Sequence, residues 1–481
     1  MAIMAPTSYR VVVIGAGVSG LTAARQLIQS TLLQSHELCV LEATSRVGGR
    51  VQSVTFGQQK PITIEVGAAW IHGASDENPF YRDLILPAKI ACKPISARNP
   101  WLHPASCDNF QLFFDHEQLA ADQVEYTWQL CELLLLTLQR YATSGDAEVA
   151  GRFADKSLAD IVKILSREVQ SDALNQELVD LVAQKEQGAH SLEYCVRLTE
   201  CWMGSTADSL QLDDFEEVDL LGDDPGAHSV IPYGMEQVIS HLREPLGDGI
   251  IQTDAAVDVV EYTADGATLK LHDGRIIQTD FVIVTCPLGA LKEKKLRFEP
   301  ELPLEKQQAI QRSSMGQYMK VLVEFPHVFW PEDAKFFGQL APSNDETGVE
   351  FPLFFNYHSA KGAPVLEGVM FGDVALRASE WEDEAIVKKF VHQLQRVFGD
   401  KVPQPVSQLI TRWNKHPWTV GAYSCLTLES STDDPEVLRQ TVAGRVLFAG
   451  EATNYRYQGA LQAAYLSGLV AVDELETLIT G

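Results

Sequence analysis

The chain begins its ordered pattern with Tyr9-Arg-Val-Val-Val-Ile14, a β-branched run without polar alternation, which breaks at once into Gly15-Ala-Gly17-Val-Ser19-Gly20. A strand that does not alternate is buried on both faces, as in a parallel sheet. The glycine spacing then narrows what can follow. Gly15 permits a tight bend, Gly17 lets backbone approach a pyrophosphate, and Gly20 lets the next helix pack closely on the strand. That helix reads as Leu21 to Gln29, and a second apolar strand, Leu38-Cys-Val-Leu41, ends on Glu42. A β-α-β unit of about 35 residues is the context in which GxGxxG carries meaning. The helix N-terminus, with Ser19 in the glycine turn just before it, offers free N–H groups to phosphates. Glu42 stands where an acid accepts from a ribose hydroxyl, which disfavours a 2′-phosphate and so NADP. The alternative is a packing turn without ligand.

Strands of the same kind return far along the chain. Phe281-Val-Ile-Val-Thr285 is closed by Pro287, and Arg445-Val-Leu-Phe-Ala-Gly450-Glu451 ends on a glycine and an acid. Between them the pattern differs. Helical periodicity runs over about 116–142 and 157–203. Asp273-Gly274 separates Thr268–His272 from Arg275–Ile277 as a hairpin signal. Met319 to Phe325 alternates like a half-exposed strand. The economical reading is an α/β fold: a Rossmann-like dinucleotide domain assembled from 1–82, 226–300 and 405–481, and an α+β substrate domain from 83–225 and 301–404.

Composition sets limits. With 38 basic and 65 acidic residues the formal charge is −27, which argues against nucleic acid. Such a surface can concentrate cationic substrates, and the run from Asp213 to Asp224 is either a solvated loop or an electrostatic funnel. No apolar stretch reaches the length of a membrane span, so a soluble, cytoplasmic monomer is the expectation. The eight cysteines contain no CxxC pair and no Cys/His cluster at metal-ligand spacing, which reads as reduced thiols and no metal.

NAD and FAD share the glycine turn, and other segments separate them. Glu42-Ala-Thr-Ser-Arg-Val-Gly-Gly49-Arg50, Glu65-Val-Gly67-Ala68-Ala-Trp70-Ile-His72-Gly73 and Phe448-Ala-Gly450-Glu451 resemble, in that order, motifs of the flavin amine oxidase family. This group contains polyamine, spermine and monoamine oxidases and the flavin histone demethylases. The resemblance implies FAD, with Arg50 on the diphosphate side and Glu451 at the ribityl chain. Val257 would hold the adenine end through its backbone, and Trp413 would pack on the isoalloxazine. Monoamine oxidases tether flavin through a cysteine where this chain has Ala422, so non-covalent FAD is expected.

Within the family the polyamine and spermine oxidase branch fits best, carried by Trp70-Ile-His72-Gly73 and Pro225-Gly-Ala-His228. The resemblance places His72 at the flavin edge, where an imidazole can bind or steer an amine; its bland reading is a histidine held in a turn. It gives Lys320 a water-mediated contact to flavin N5, although alternation alone puts Lys320 on a solvent face. Glu200 matches an acid facing the substrate tunnel, against the alternative of a surface glutamate. Tyr423 resembles one wall of an aromatic sandwich whose opposite wall falls at Ala460, and Gln462-Ala463 stands where spermine oxidases usually show His-Gly. The implied reaction oxidises the carbon beside a secondary amine of spermine, spermidine or an acetylated form, with O2 as the second substrate. It yields an aldehyde, a shorter amine and hydrogen peroxide. A monoamine or L-amino acid oxidase, or a catalytically silent flavin-binding module, are the alternatives.

Overall fold

A computed structural model describes residues 7–145, 147–167, 173–215, 226–340 and 349–480. The acidic run lies outside the described residues from 216 to 224.

The apolar runs at the start, near 280 and near the end form one parallel sheet. Thr7–Ile14 lies at its centre, with Leu38–Leu41 and then Ile251–Gln252 on one side. On the other side comes Ile276–Val284, followed by Val446–Phe448. Ile276–Val284 joins two strands that read as separate in the sequence. Its first residues alternate exposed and buried while pairing antiparallel with Ala267–Leu271. Its last four are wholly buried, where it enters the parallel sheet. The periodicity changes because one face is wet at the start and neither is at the end. Helices Val18–Gln29 and Leu461–Thr480 pack together beside this sheet, tied by a 3.1 Å contact between the hydroxyls of Ser19 and Ser467.

A second sheet runs Ser407–Ile410, Tyr318–Glu324, Val365–Phe371, Leu353–Asn356, Phe336–Leu340, Phe110–Phe114 and Glu117–Gln118. The domain boundary drawn at 405 therefore falls ahead of a strand that pairs with Tyr318–Glu324. The strand Tyr318–Glu324 corrects one expectation. Six of its seven residues are buried, so both faces are covered and neither is half-exposed. The alternation misleads because its polar side chains are satisfied internally. Fully buried Glu324 accepts from the backbone N–H groups of Gln58 and Gln59, at 2.8 and 3.0 Å, and from the Ser407 hydroxyl at 2.7 Å.

The helical region 116–142 begins with the short strand Glu117–Gln118 and continues as Ala121–Ala142. Region 157–203 divides into Leu158–Leu165, Ala173–Gln184 and Gly188–Met203. Cys131 and Cys195 form a disulfide between Ala121–Ala142 and Gly188–Met203, which corrects the expectation that all eight thiols are reduced. Spacing gave no sign of it because the pairing is tertiary. Among the described residues, no helix is long and apolar enough to cross a membrane, and no His/Cys/Asp/Glu group could hold a metal. A three-stranded sheet of Trp70–Ile71, His228–Val230 and Lys93–Ser96 carries residues of both sequence-read domains.

Candidate active site

One cavity of about 2500 Å³, counted out to open solvent, runs from the glycine turn to the second sheet. Its lining includes both Gly15 and Gly17 at one end and Tyr318 and Lys320 at the other, so one continuous opening joins the glycine turn to the second sheet.

The cofactor end is built from close backbone. Gly15 has φ +107°, and a Cβ there would lie 2.6 Å from Thr285 Oγ1. A Cβ on Gly20 would lie 2.0 Å from the Gly15 carbonyl oxygen, which only glycine tolerates. Gly17 faces Gly49 across the opening: a Cβ on Gly49 would lie 3.2 Å from Gly17 Cα. Glu42 ties the second strand to this turn, accepting from Ala16 N at 2.9 Å and from Thr44 N and Oγ1 at 2.9 and 2.8 Å. Ser19 turns its hydroxyl to Ser467, so what it can offer a phosphate is backbone N–H in the first helical turn. Arg50 donates to Glu451 Oε1 at 2.8 Å and to the Ala422 carbonyl at 3.0 Å, locking the first and third motifs together. Glu451 also accepts from the Ser424 hydroxyl at 2.5 Å and from Gly459 N at 3.0 Å. Gly450, at φ +132°, has nothing within 4 Å of where a Cβ would be, and Val257 lines the wall further along. Open space above strained backbone, with first-turn N–H groups beside it, fits a dinucleotide.

The other arm is aromatic. Trp70, Trp101, Trp202, Tyr318 and Tyr423 line it, and Ala460 leaves one side without a ring. The Tyr423 phenol donates to the Trp202 carbonyl at 3.0 Å, and its ring lies 6.0 Å from that of Tyr318. Burial pushes both phenols well above their ordinary range. Where the arms join, side chains grip segment 65–68. Lys320 Nζ donates to the carbonyls of Glu65 and Gly67, both at 2.9 Å, and Trp413 Nε1 donates to the Val66 carbonyl at 2.8 Å. Ala68 N donates to the Arg50 carbonyl at 3.1 Å. Lys320 is 6% exposed, not solvent-facing as alternation suggests, and Glu367 Oε1 stands 3.9 Å from its ammonium. His72 meets His228 at 3.2 Å, Nδ1 to Nδ1, and its ring abuts Trp202 edge to face at 4.9 Å. Burial pushes His72 down to about 4.

The profile of the flavin containing amine oxidoreductase family matches residues 18–475. The chain belongs to that family. Polyamine oxidase 2 of Arabidopsis thaliana is 30% identical over 474 residues, covering 98% of this chain and 89% of its own. Lysine-specific histone demethylase 1 homolog 2 of the same plant is 31% identical over 475 residues, 96% of this chain; this chain spans 58% of that protein's length. The solved structure of putrescine oxidase bound to putrescine superposes with a TM-score of 0.73 at 19% identity, covering 98% of this chain and all of that one, a likeness of fold. FAD is accordingly the cofactor, and the glycine cradle is where it fits.

Against this family background Glu200 is out of place. It lies near the end of Gly188–Met203, 9% exposed, and does not line the cavity. Its Oε1 accepts from Ala207 N at 2.7 Å and its Oε2 lies 3.6 Å from Arg197 Nε. Burial raises its carboxyl above the usual range despite Arg197. Glu200 is neither a surface glutamate nor a tunnel wall; it ties the turn after its own helix. Sequence reasoning named no role for Trp101, Trp202, Tyr318 or Glu367. Tyr318 was within reach, since strand parity puts it on the same face as Lys320; the tryptophans belong to no motif, and only the fold brings them together.

Proposed function

We propose that this chain is an FAD-dependent polyamine oxidase using O2, acting at the carbon beside a secondary amine. The observation that carries the reading is the aromatic arm that ends at Lys320 and His72, beside segment 65–68 of the cofactor end. FAD, held by the glycine cradle with Arg50 and Glu451 beside it, would supply the hydride-accepting and O2-reducing chemistry. The chain's own residues select and prepare the amine. A free ammonium of pKa about 10 lies roughly three units from neutrality at pH 7, a cost of about 4 kcal/mol. Apolar walls that include Trp202, Tyr318 and Tyr423 reduce that cost by disfavouring the charged form at the reacting nitrogen. Neutral His72 can hydrogen-bond the amine without repelling it. Lys320, with two donors spent on carbonyls, retains one for a water that can hydrolyse the imine product to an aldehyde and a shorter amine. Ala422 offers no thiol for a tether, so FAD is held non-covalently.

The test is peroxide release, with product masses, from spermine, spermidine, N-acetylspermine, putrescine, a monoamine and a peptide bearing N-methylated lysine. Turnover of the first three supports the proposal. Turnover of the methylated peptide alone would favour a demethylase, the reading that the 31% relative suggests.

A further inference from the structure

His72 and His228 approach through like atoms, Nδ1 to Nδ1 at 3.2 Å. A hydrogen bond between two such nitrogens needs one proton: two N–H groups repel and two lone pairs do not bind. Both rings are held neutral, His72 by burial, and His228 by burial together with the positive charge that His72, His103 and Arg98 could bring to it. A neutral pair joined in this way must hold opposite tautomers. The geometry is fixed from several sides. Trp70 pairs with Val230 and Ile71 with Ser229, so His72 and His228 continue the same ladder. Trp202 stands edge to face on the His72 ring at 87°, and Trp101 lies 6.3 Å from it at 67°. Asn78 Nδ2 holds the His72 carbonyl at 2.8 Å. The imidazole cannot turn over without losing its partner.

We propose that His228 is a positioning residue that accepts the Nδ1–H of His72, fixing His72 in the tautomer whose Nε2 presents a lone pair to the substrate amine. The inference rests on the amine-oxidising reading of the cavity. An acceptor at Nε2 takes the N–H of the amine and leaves the amine's own lone pair free to support loss of hydride from the adjacent carbon. The opposite tautomer would donate Nε2–H into that lone pair and hold back the same electrons. Arg98 and His103 oppose protonation of His228, which keeps the ring neutral.

The test uses the flavin-loaded enzyme carrying isotope-labelled histidine. Nitrogen NMR should find one ring protonated at Nδ1, assigned to His72 by its loss in His72→Asn, and one protonated at Nε2, assigned to His228. Two rings protonated at the same nitrogen, or the reverse assignment, overturn the proposal. Anaerobic flavin reduction by the best amine provides the functional arm. His228→Leu, which removes the acceptor, should slow the limiting rate about three- to tenfold, the range of one net hydrogen bond, with reoxidation by O2 unchanged. His228→Asn keeps an acceptor where Nδ1 stood and should restore the rate to within about twofold of the parent. If Asn is as impaired as Leu, or if reoxidation slows equally, the positioning role fails. An enzyme that no amine reduces would overturn the functional reading, while the tautomer assignment would still be decided by the spectrum.

Discussion

Replacing Lys320 by methionine keeps the unbranched apolar stem of the side chain and removes its terminal ammonium, which isolates what that charge does. In the folded protein the cation stands 3.9 Å from Glu367 Oε1, and each residue is 6% exposed. At an effective dielectric of about 20 their attraction is about 4 kcal/mol. Removing one partner of a buried pair costs about 3–5 kcal/mol, because the other charge is left uncompensated. Two carbonyls, of Glu65 and Gly67, also lose a donor at roughly 1 kcal/mol each. Lys320→Met should therefore destabilise the flavin-loaded enzyme by about 5–7 kcal/mol. In Lys320→Met/Glu367→Gln no stranded carboxylate remains, and Gln can still accept from the Tyr357 phenol, which now bonds Glu367 at 3.0 Å. The double variant should fall short of the sum of the singles by about 3 kcal/mol. Urea unfolding followed by tryptophan fluorescence and flavin release measures all four corners of the cycle. Additivity within about 0.5 kcal/mol would refute the coupling, and Glu367 would then be no counter-ion to Lys320.

Other outcomes follow from the same geometry. Gly20→Ala puts a methyl where the Gly15 carbonyl oxygen stands, 2.0 Å from the new carbon, so the purified variant should carry far less than one flavin per chain; full occupancy would contradict the packing argument. His72 has its pKa pressed from 6.5 to about 4, so the unfolded chain takes up a proton that the folded one refuses. Stability should fall as pH drops from 6.5 toward 4, and His72→Asn should remove about 2 kcal/mol of that loss, less than the full shift because the ring keeps an edge on the cavity. Equal pH slopes for the two proteins would exclude this. Glu200→Gln should change KM for spermine less than about threefold while lowering Tm, since the acid bonds Ala207 N and not the cavity; a large KM effect with unchanged Tm would return Glu200 to the tunnel. Alkylation of the denatured, unreduced protein should spare Cys131 and Cys195, and labelling of both would remove the disulfide.

How far the sequence reaches depends on whether a feature is local. The glycine turn was legible because each glycine answers a backbone demand within a few residues, as Gly20 against the Gly15 carbonyl illustrates. Glu42 and Glu451 were legible as motif members, but their bonds to backbone and to Arg50, partners up to 401 residues away, were not. The strand around Lys320 was misread because alternation was taken for exposure, whereas Glu324 and Lys320 are buried and bonded on a strand covered on both sides. Glu200 was misplaced because spacing cannot tell which way a helix end turns. Trp101 and Trp202 were invisible, since their neighbours in the cavity come from other elements.

The central claim is that three distant segments close around FAD and set an amine beside Lys320 and His72. Anaerobic mixing of the purified yellow enzyme with spermine tests this most directly. The account predicts bleaching of the flavin within the dead time of turnover, followed by return of the colour and release of one peroxide per amine when air is admitted. A flavin that stays oxidised with spermine, spermidine and their acetylated forms alike would contradict it.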